Sequence, residues 1–151
     1  PDNAFISMAT DSVGVDRLYR GITQRASIET GDNVEFTYEA VNLKPLSPVN
    51  AEATRDGAGD LTATFTRRSR LGSTWWGNGT QAPVGETAEA YEIDVINGST
   101  VVRTIESSTP EFSYSAADQI IDFGSAQSSI LFRIYQLSDV VGRGFVREVT
   151  L

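Results

Sequence analysis

The chain has 151 residues, with 20 acidic and 12 basic side chains and neither cysteine nor histidine. The missing cysteine excludes disulfides, zinc ribbons, iron–sulfur clusters and thiol nucleophiles, and the missing histidine excludes a Ser-His-Asp triad and imidazole metal sites. The formal net charge of −8 argues against broad nucleic-acid binding and against adhesion to anionic membranes.

The composition is that of a β-rich globular chain. Valine, isoleucine and threonine, which favour strands, are abundant, and the hydrophobic fraction is 40%. No apolar run approaches the roughly 18 residues that a membrane-spanning helix needs. Surface scaling predicts that about two-thirds of the chain's surface is buried on folding, which suffices for one core, or for one domain with an appendage.

The first 44 residues predict a partly β segment. Their apolar positions are scattered except in the run 34–39, which alternates strictly and predicts a half-buried strand after a turn at 31–33. The segment is too short to bury a core of its own. We expect residues 1–44 to be the C-terminal end of a preceding β-rich domain or a docking segment. Because the first residues read like the interior of a domain, we also expect the chain to be the end of a longer protein.

A linker is predicted at 42–48, where Pro45 and Pro48 keep the backbone extended, so residues 45–151 form the second domain. Strands are then predicted at 49–54, 61–66, 91–96, 101–105, 111–115, 129–137 and 145–151. Turn signals separate them at intervals of about 8 to 15 residues. This rhythm predicts an all-β fold, a two-sheet β-sandwich.

Four local signals refine that prediction. Asn97-Gly98 between two β runs indicates a hairpin. Ser115 followed by Asp118 resembles a capping box, and Gly124 is placed to end a helix of one or two turns. The run 129–137 is apolar on both faces, which predicts a central strand. A turn is expected at 142–144.

Two features of the connection 67–88 are candidate binding residues. Trp75 and Trp76 lie in a glycine-rich stretch, where they could stack on sugar rings, anchor a protein interface, or simply cover the edge of the sandwich. Arg67, Arg68 and Arg70 form a basic cluster in an acidic chain and could dock an acidic partner or a carboxylate-rich glycan. The alternative is that these arginines are solvated or pair with Glu86, Glu89 or Glu92.

No catalytic, cofactor or metal site is predicted. Close carboxylate pairs, which a glycosidase needs, occur only at Glu86 with Glu89 and at Asp118 with Asp122. Asp118 is better explained as part of a helix cap. The loop 56–60 supplies two carboxylates but lacks the spacing of a calcium loop.

Several short strings, taken in order, resemble one family, the large tail-tip proteins of gene transfer agents and related siphophages. The strings are NLKPLSPV at 42–49, RRSRLG at 67–72, Trp75, PVGE at 83–86, EAY at 89–91, VVRT at 101–104, YSAAD at 114–118, QLS at 136–138 and VGRG at 141–144. The string YRGI at 19–22 resembles the piece before the last domain of that family. Related domains place a tryptophan where this chain has Phe65.

The resemblance implies a fibronectin type III-like terminal domain in a phage tail tip or baseplate. It implies a structural role in the virion after synthesis in the bacterial cytoplasm, with other tail proteins as partners and a three-fold homo-oligomer. A host-surface carbohydrate-binding module acting in adsorption is the alternative that the tryptophans and arginines leave open. Neither reading predicts enzymatic activity, nucleic-acid binding or membrane insertion.

Overall fold

The structure, a computed structural model, describes residues 7–71 and 82–151. The chain forms two compact units, Pro1–Leu43 and Lys44–Leu151. The boundary predicted from the sequence lies between residues 44 and 45. The strands of the two units, in chain order, are β1 (Asp16–Arg20), β2 (Asn33–Thr37), β3 (Val49–Arg55), β4 (Leu61–Thr66), β5 (Tyr91–Asn97), β6 (Thr100–Ser107), β7 (Glu111–Tyr114), β8 (Leu131–Ser138), β9 (Gly142–Arg143) and β10 (Arg147–Thr150).

The first unit is built on one antiparallel strand pair, β1 with β2, in which Leu18 lies opposite Glu35. Short 3-10 turns stand at Thr10–Ser12, Ile28–Thr30 and Val41–Leu43. The strand predicted at 34–39 is present as β2, but the prediction that it is half-buried is wrong. Val34 is 60% exposed and Phe36 48% exposed. The reason is that a strand pair buries a face only when a second layer covers it.

The second unit consists of two antiparallel sheets. One has the order β3-β4-β7, and the other has the order β10-β8-β5-β6 with the short strand β9 paired to β8. The first, second and fifth strands of the unit thus form one sheet, and its other strands form the second sheet. This is the strand arrangement of a fibronectin type III-like β-sandwich, which confirms the predicted fold class.

The core lies between these two sheets because their inward positions alternate with outward ones. In β4 the side chains of Leu61, Ala63 and Phe65 are buried and the three threonines between them are exposed. Phe65 fills the core against Tyr91, with ring centroids 4.9 Å apart in an edge-to-face arrangement. The hydrophobic cluster of described residues, from Ala51 to Leu151, belongs entirely to the second unit.

The local predictions for the sandwich hold with small shifts. Helix α1 (Ala116–Phe123) has Ser115 as its N-cap and ends at Gly124, whose φ of 83° is left-handed, as predicted. The β5–β6 hairpin is present, but its two-residue loop is Gly98-Ser99 because Asn97 already pairs with Thr100. Strand β8 is central, since it pairs with β5, β9 and β10. The turn predicted at 142–144 contains the short strand β9, and the last strand begins at Arg147.

Candidate functional site

Two of the five predicted binding residues fall in the part of the chain that is not described. Trp75 and Trp76 lie outside the described residues, which end at 71 and resume at 82. Their role in binding stays a prediction from the sequence. The three arginines are described, and each has partners within the same unit.

The arginine cluster is engaged with the connection that follows it. Arg67 donates from Nη1 to Glu89 Oε1 at 2.7 Å and from Nε to the Ala82 carbonyl at 2.6 Å. Arg70 donates from Nε to Glu86 Oε1 at 3.0 Å. Glu86 and Glu89 are two of the three carboxylates that the sequence offered as partners. The pairs hold the end of β4 to residues 82–89.

Arg68 differs from its neighbours because it contacts no carboxylate among the described residues. Its Nε donates to the Ser47 carbonyl at 2.8 Å, and Nη2 donates to the Ser47 hydroxyl at 2.8 Å. It therefore holds the end of β4 to the segment before β3. Binding of an acidic ligand by the cluster stays a prediction, and such a ligand would compete with these internal bonds.

Glu86 and Glu89 are each paired with an arginine. Glu89 accepts from Arg67 and also from the Tyr91 hydroxyl at 2.8 Å. Burial, and then the bond to Glu89, raise the pKa of Tyr91 far above its ordinary value. Tyr91 is therefore neutral at physiological pH. Its hydroxyl serves as a fixed donor at the end of the core.

The second close carboxylate pair lies on α1. Asp122 accepts from Arg103 Nε at 2.6 Å and from the Tyr114 hydroxyl at 2.7 Å, while Asp118 contacts Arg103 Nη2 at 3.0 Å. The hydrogen bond from Arg103 holds the pKa of Asp122 below its usual value. A general acid needs a raised pKa, so this shift runs opposite to glycosidase chemistry. The pair fastens α1 to β6.

The outer face of the sheet β10-β8-β5-β6, with the short strand β9, carries a set of charges that the sequence analysis missed. We call it the outer-face network; its members are Glu92, Asp94, Arg133, Arg143 and Glu148. The Asp94 side chain is only 3% exposed and is bound by both Nη atoms of Arg143, at 2.7 and 2.9 Å. Arg143 also donates to Glu92 at 2.5 Å.

The outer-face network contains three carboxylates and two guanidinium groups, and Arg143 neutralises its most buried member, Asp94. Burial alone would raise the pKa of Asp94, but hydrogen bonds from Arg143 and Thr104 outweigh it and the pKa is lowered. The guanidinium of Arg143 lies 4.5 Å from the centroid of the Tyr135 ring. The network joins β9 to the middle of the sheet. The sequence signal for it was an aspartate between the buried apolar residues Ile93 and Val95 of β5.

The described residues give no sign of a metal centre. Residues 7–71 and 82–151 contain no group of three or more carboxylate side chains placed to hold an ion. In the loop 56–60, Asp56 accepts from the backbone N–H groups of Ala58 and Asp60, each at 2.9 Å. Asp60 in turn accepts from the Ala116 N–H at 2.7 Å. Asp56 therefore stabilises the turn, and Asp60 stabilises the start of α1.

No family model and no curated protein matches the chain. Among solved structures it is similar to domains d3–d4 of the rat CD45 extracellular region, at 14% identity and a TM-score of 0.49 over 100% of this chain and 75% of that one. It is also similar to the FN5 domain of Drosophila Lar, at 11% identity and a TM-score of 0.40 over 71% of this chain and 94% of that one. No helix of the described residues is long and apolar enough to cross a membrane.

Proposed function

We propose that the chain is a non-catalytic β-sandwich domain, with an attached docking segment, that forms a structural part of the tail tip or baseplate of a phage or phage-like particle. The ordered strings quoted above support the tail-tip assignment. The observation that carries an assembly role is the first unit, whose strand pair exposes Leu18, Val34 and Phe36 although strands of this size need a covering layer. Such side chains are suited to burial against another protein.

The absence of enzymatic activity is part of the proposal. Each carboxylate of the two close pairs is bound by an arginine, Glu86 by Arg70 and Glu89 by Arg67, while Arg103 binds the pair on α1. A carboxyl group that must donate a proton is instead kept away from cations. The expected partners are other tail proteins and further copies of this chain, in the three-fold arrangement that the resemblance implies.

The location can be tested on particles from the natural host. Antibodies raised against the purified chain should label one end of tailed particles in immunogold electron microscopy. Antibodies pre-absorbed with the chain are the control and should label nothing. Label that stays in the cell lysate and never sediments with particles would contradict the proposal.

The assembly role can be tested with a matched pair of substitutions in the host. Phe36→Asp places a charge on the exposed strand pair, whereas Ile121→Asp places one on α1, where the side chain is 75% exposed. We expect Phe36→Asp to reduce the yield of complete particles and Ile121→Asp to leave it unchanged. Equal yields from both variants would show that the strand pair docks on nothing in the particle.

A second candidate function is adsorption to a host-surface carbohydrate through residues 67–88. It is favoured by the adjacent pair Trp75-Trp76, since aromatic rings stack on sugars. The labelled chain should bind intact host bacteria saturably, and Trp75→Ala with Trp76→Ala should abolish binding while the circular dichroism spectrum is unchanged. No binding by either form would leave the architectural role.

A further inference from the structure

The strand pair of the first unit has two sides of different character. Residues directly opposite each other in an antiparallel pair point to the same side, and Arg17 lies opposite Phe36 while Tyr19 lies opposite Val34. We call the side that carries these four residues the Phe36 face. Three of the four side chains are apolar or aromatic, and the Tyr19 and Phe36 rings meet edge-to-face with centroids 6.2 Å apart.

The other side of the strand pair is polar, and its charges have partners within the unit. Thr37 donates to Asp16, and Arg20 lies 3.8 Å from the carboxylate of Glu29. Among the strand residues Leu18 is the one apolar side chain on this side. Single exposed apolar side chains are common on protein surfaces. This side therefore suits water, and the Phe36 face is the side that a partner would cover.

Arg17 is the one charged residue of the Phe36 face. Its Nη2 donates to the Ser12 hydroxyl at 3.1 Å, and Ser12 in turn donates to Asp11 Oδ1 at 3.3 Å. Asp11 therefore reaches Arg17 only through the serine. No carboxylate of residues 7–71 and 82–151 forms an ion pair with Arg17. A guanidinium has five N–H donors, so one hydroxyl leaves most of its bonding capacity for another group.

A partner that covers the Phe36 face takes the Arg17 guanidinium out of water. A buried cation without an opposite charge is far more costly than a paired one. Arginine and aromatic side chains are also enriched at the centres of protein interfaces, where such pairs form. A surface that packs on Val34 and Phe36 must therefore supply a carboxylate at Arg17.

We infer that the occupant of the Phe36 face is another tail protein, whose contact surface is apolar and carries an aspartate or glutamate that pairs with Arg17. The inference rests on the proposed assembly role and adds the chemistry of the partner. A planar guanidinium binds both oxygens of a carboxylate side by side, which fixes the orientation of the contact. The same face of a further copy does not fit, because it would bring two Arg17 cations together.

The experiment replaces Arg17 in the host and measures the yield of complete particles. Arg17→Glu sets a like charge against the partner's carboxylate and should lower the yield about tenfold or more. Arg17→Lys keeps the charge and should retain more of the yield than Arg17→Gln, which has none. Arg25→Glu is the matched control, since it makes the same change at an exposed arginine of the first unit outside β1 and β2. It should leave the yield unchanged.

Second-site suppressors of Arg17→Glu identify the partner residue. We expect them to replace an aspartate or glutamate by lysine or arginine in another tail protein, because the reversed charges then attract each other. Such a suppressor also shows that Arg17→Glu folds, since a change in another protein restores a contact and not an unfolded chain. If the circular dichroism spectrum shows that Arg17→Glu is unfolded, the comparison of Arg17→Lys with Arg17→Gln decides the question.

The outcomes separate this inference from the assembly role. A normal yield from Arg17→Glu with a reduced yield from Phe36→Asp would overturn the inference and leave the assembly role standing. Suppressors confined to this chain would also overturn it, because they would place the carboxylate on a further copy. Normal yields from Arg17→Glu and Phe36→Asp alike would remove the assembly role and the inference together.

Discussion

Both units of this chain contain antiparallel strands with alternating apolar residues, yet only the sandwich buries them. Phe36 in β2 is 48% exposed, whereas Phe65 in β4 is 6% exposed. The two strands have the same alternating pattern and differ in whether a second sheet covers the apolar face. Alternation thus indicates a strand, and burial depends on a layer that the strand's own sequence does not encode.

The largest expected difference between the units is in amide hydrogen exchange. Core amides of the sandwich, such as Ile93 and Phe132, should exchange only through global unfolding, which costs about 5–10 kcal/mol in a domain of this size. Amides of Leu18 and Val34 should exchange through local opening that costs about 1–2 kcal/mol or less when the chain is monomeric. Exchange followed residue by residue by NMR at low concentration tests this. Equal protection in the two units would contradict the comparison.

The next largest difference is in the free energy of unfolding that each unit loses when one phenylalanine is changed to alanine. Phe132 is fully buried and packs at a tilt against Phe112, with ring centroids 5.1 Å apart, so Phe132→Ala should lower the free energy of unfolding by about 3–5 kcal/mol. Phe36→Ala removes the same group from an exposed position and should change the free energy of unfolding by about 0.5 kcal/mol or less. Urea unfolding followed by circular dichroism measures both. A cost of several kcal/mol for Phe36→Ala would mean that the first unit unfolds together with the sandwich and contributes to its stability.

Local sequence signals were sufficient to predict most strands and the helix of the sandwich. Period-two alternation located β4 at its observed bounds, and the Ser115 cap with Gly124 located α1. Both signals act within a few residues of chain, where steric and hydrogen-bonding rules decide the outcome. The alternation of β2 was read correctly as a strand and wrongly as half-buried, because burial is a property of the partner surface.

The outer-face network was missed for a related reason. Asp94 and Arg143 are 49 residues apart in the chain, and the pairing of β8 with both β5 and β9 brings them together. The arginine cluster shows the same limit. The sequence left open whether these arginines dock an acidic ligand or pair with nearby glutamates such as Glu86 and Glu89. The position of residues 82–89 in the fold had to be known before the internal pairs could be identified. A binding role for Trp75 and Trp76 stays a prediction from the sequence, because both lie outside the described residues.

Ion pairs provide a finer test of the same comparison. Asp94→Asn removes the charge that neutralises Arg143 in a nearly buried site and should cost about 2 kcal/mol, since Arg143 itself stays partly in contact with water. Glu29→Gln removes a carboxylate that is 82% exposed and lies 3.8 Å from Arg20, and it should cost almost nothing. Thermal unfolding at neutral pH measures both. Equal costs would show that burial does not control the strength of these pairs.

The pH dependence of stability follows from the same network. The pKa values of Asp94 and Asp122 are lowered in the folded state, so their stabilising contributions are complete above the unfolded pKa of about 3.9 and are lost as the pH falls through the folded values. The free energy of unfolding should therefore decline below about pH 4. It should decline less steeply in Asp94→Asn than in the unmodified chain. Parallel declines would mean that Asp94 does not titrate with folding.

The smallest effect concerns two serine caps. Ser115 accepts from the Asp118 N–H at 3.0 Å at the start of α1, and Ser27 accepts from the Glu29 N–H at 3.3 Å at a 3-10 turn of the first unit. Ser115→Ala should cost about 1 kcal/mol, because α1 is packed through Phe123 on the sandwich core and unfolds with it. Ser27→Ala removes the same kind of bond from a unit that opens by itself, so the measured global unfolding should not change. If both substitutions cost the same, the two units share one cooperative transition, and the first unit is then stabilised by the sandwich rather than by a second copy or a tail protein.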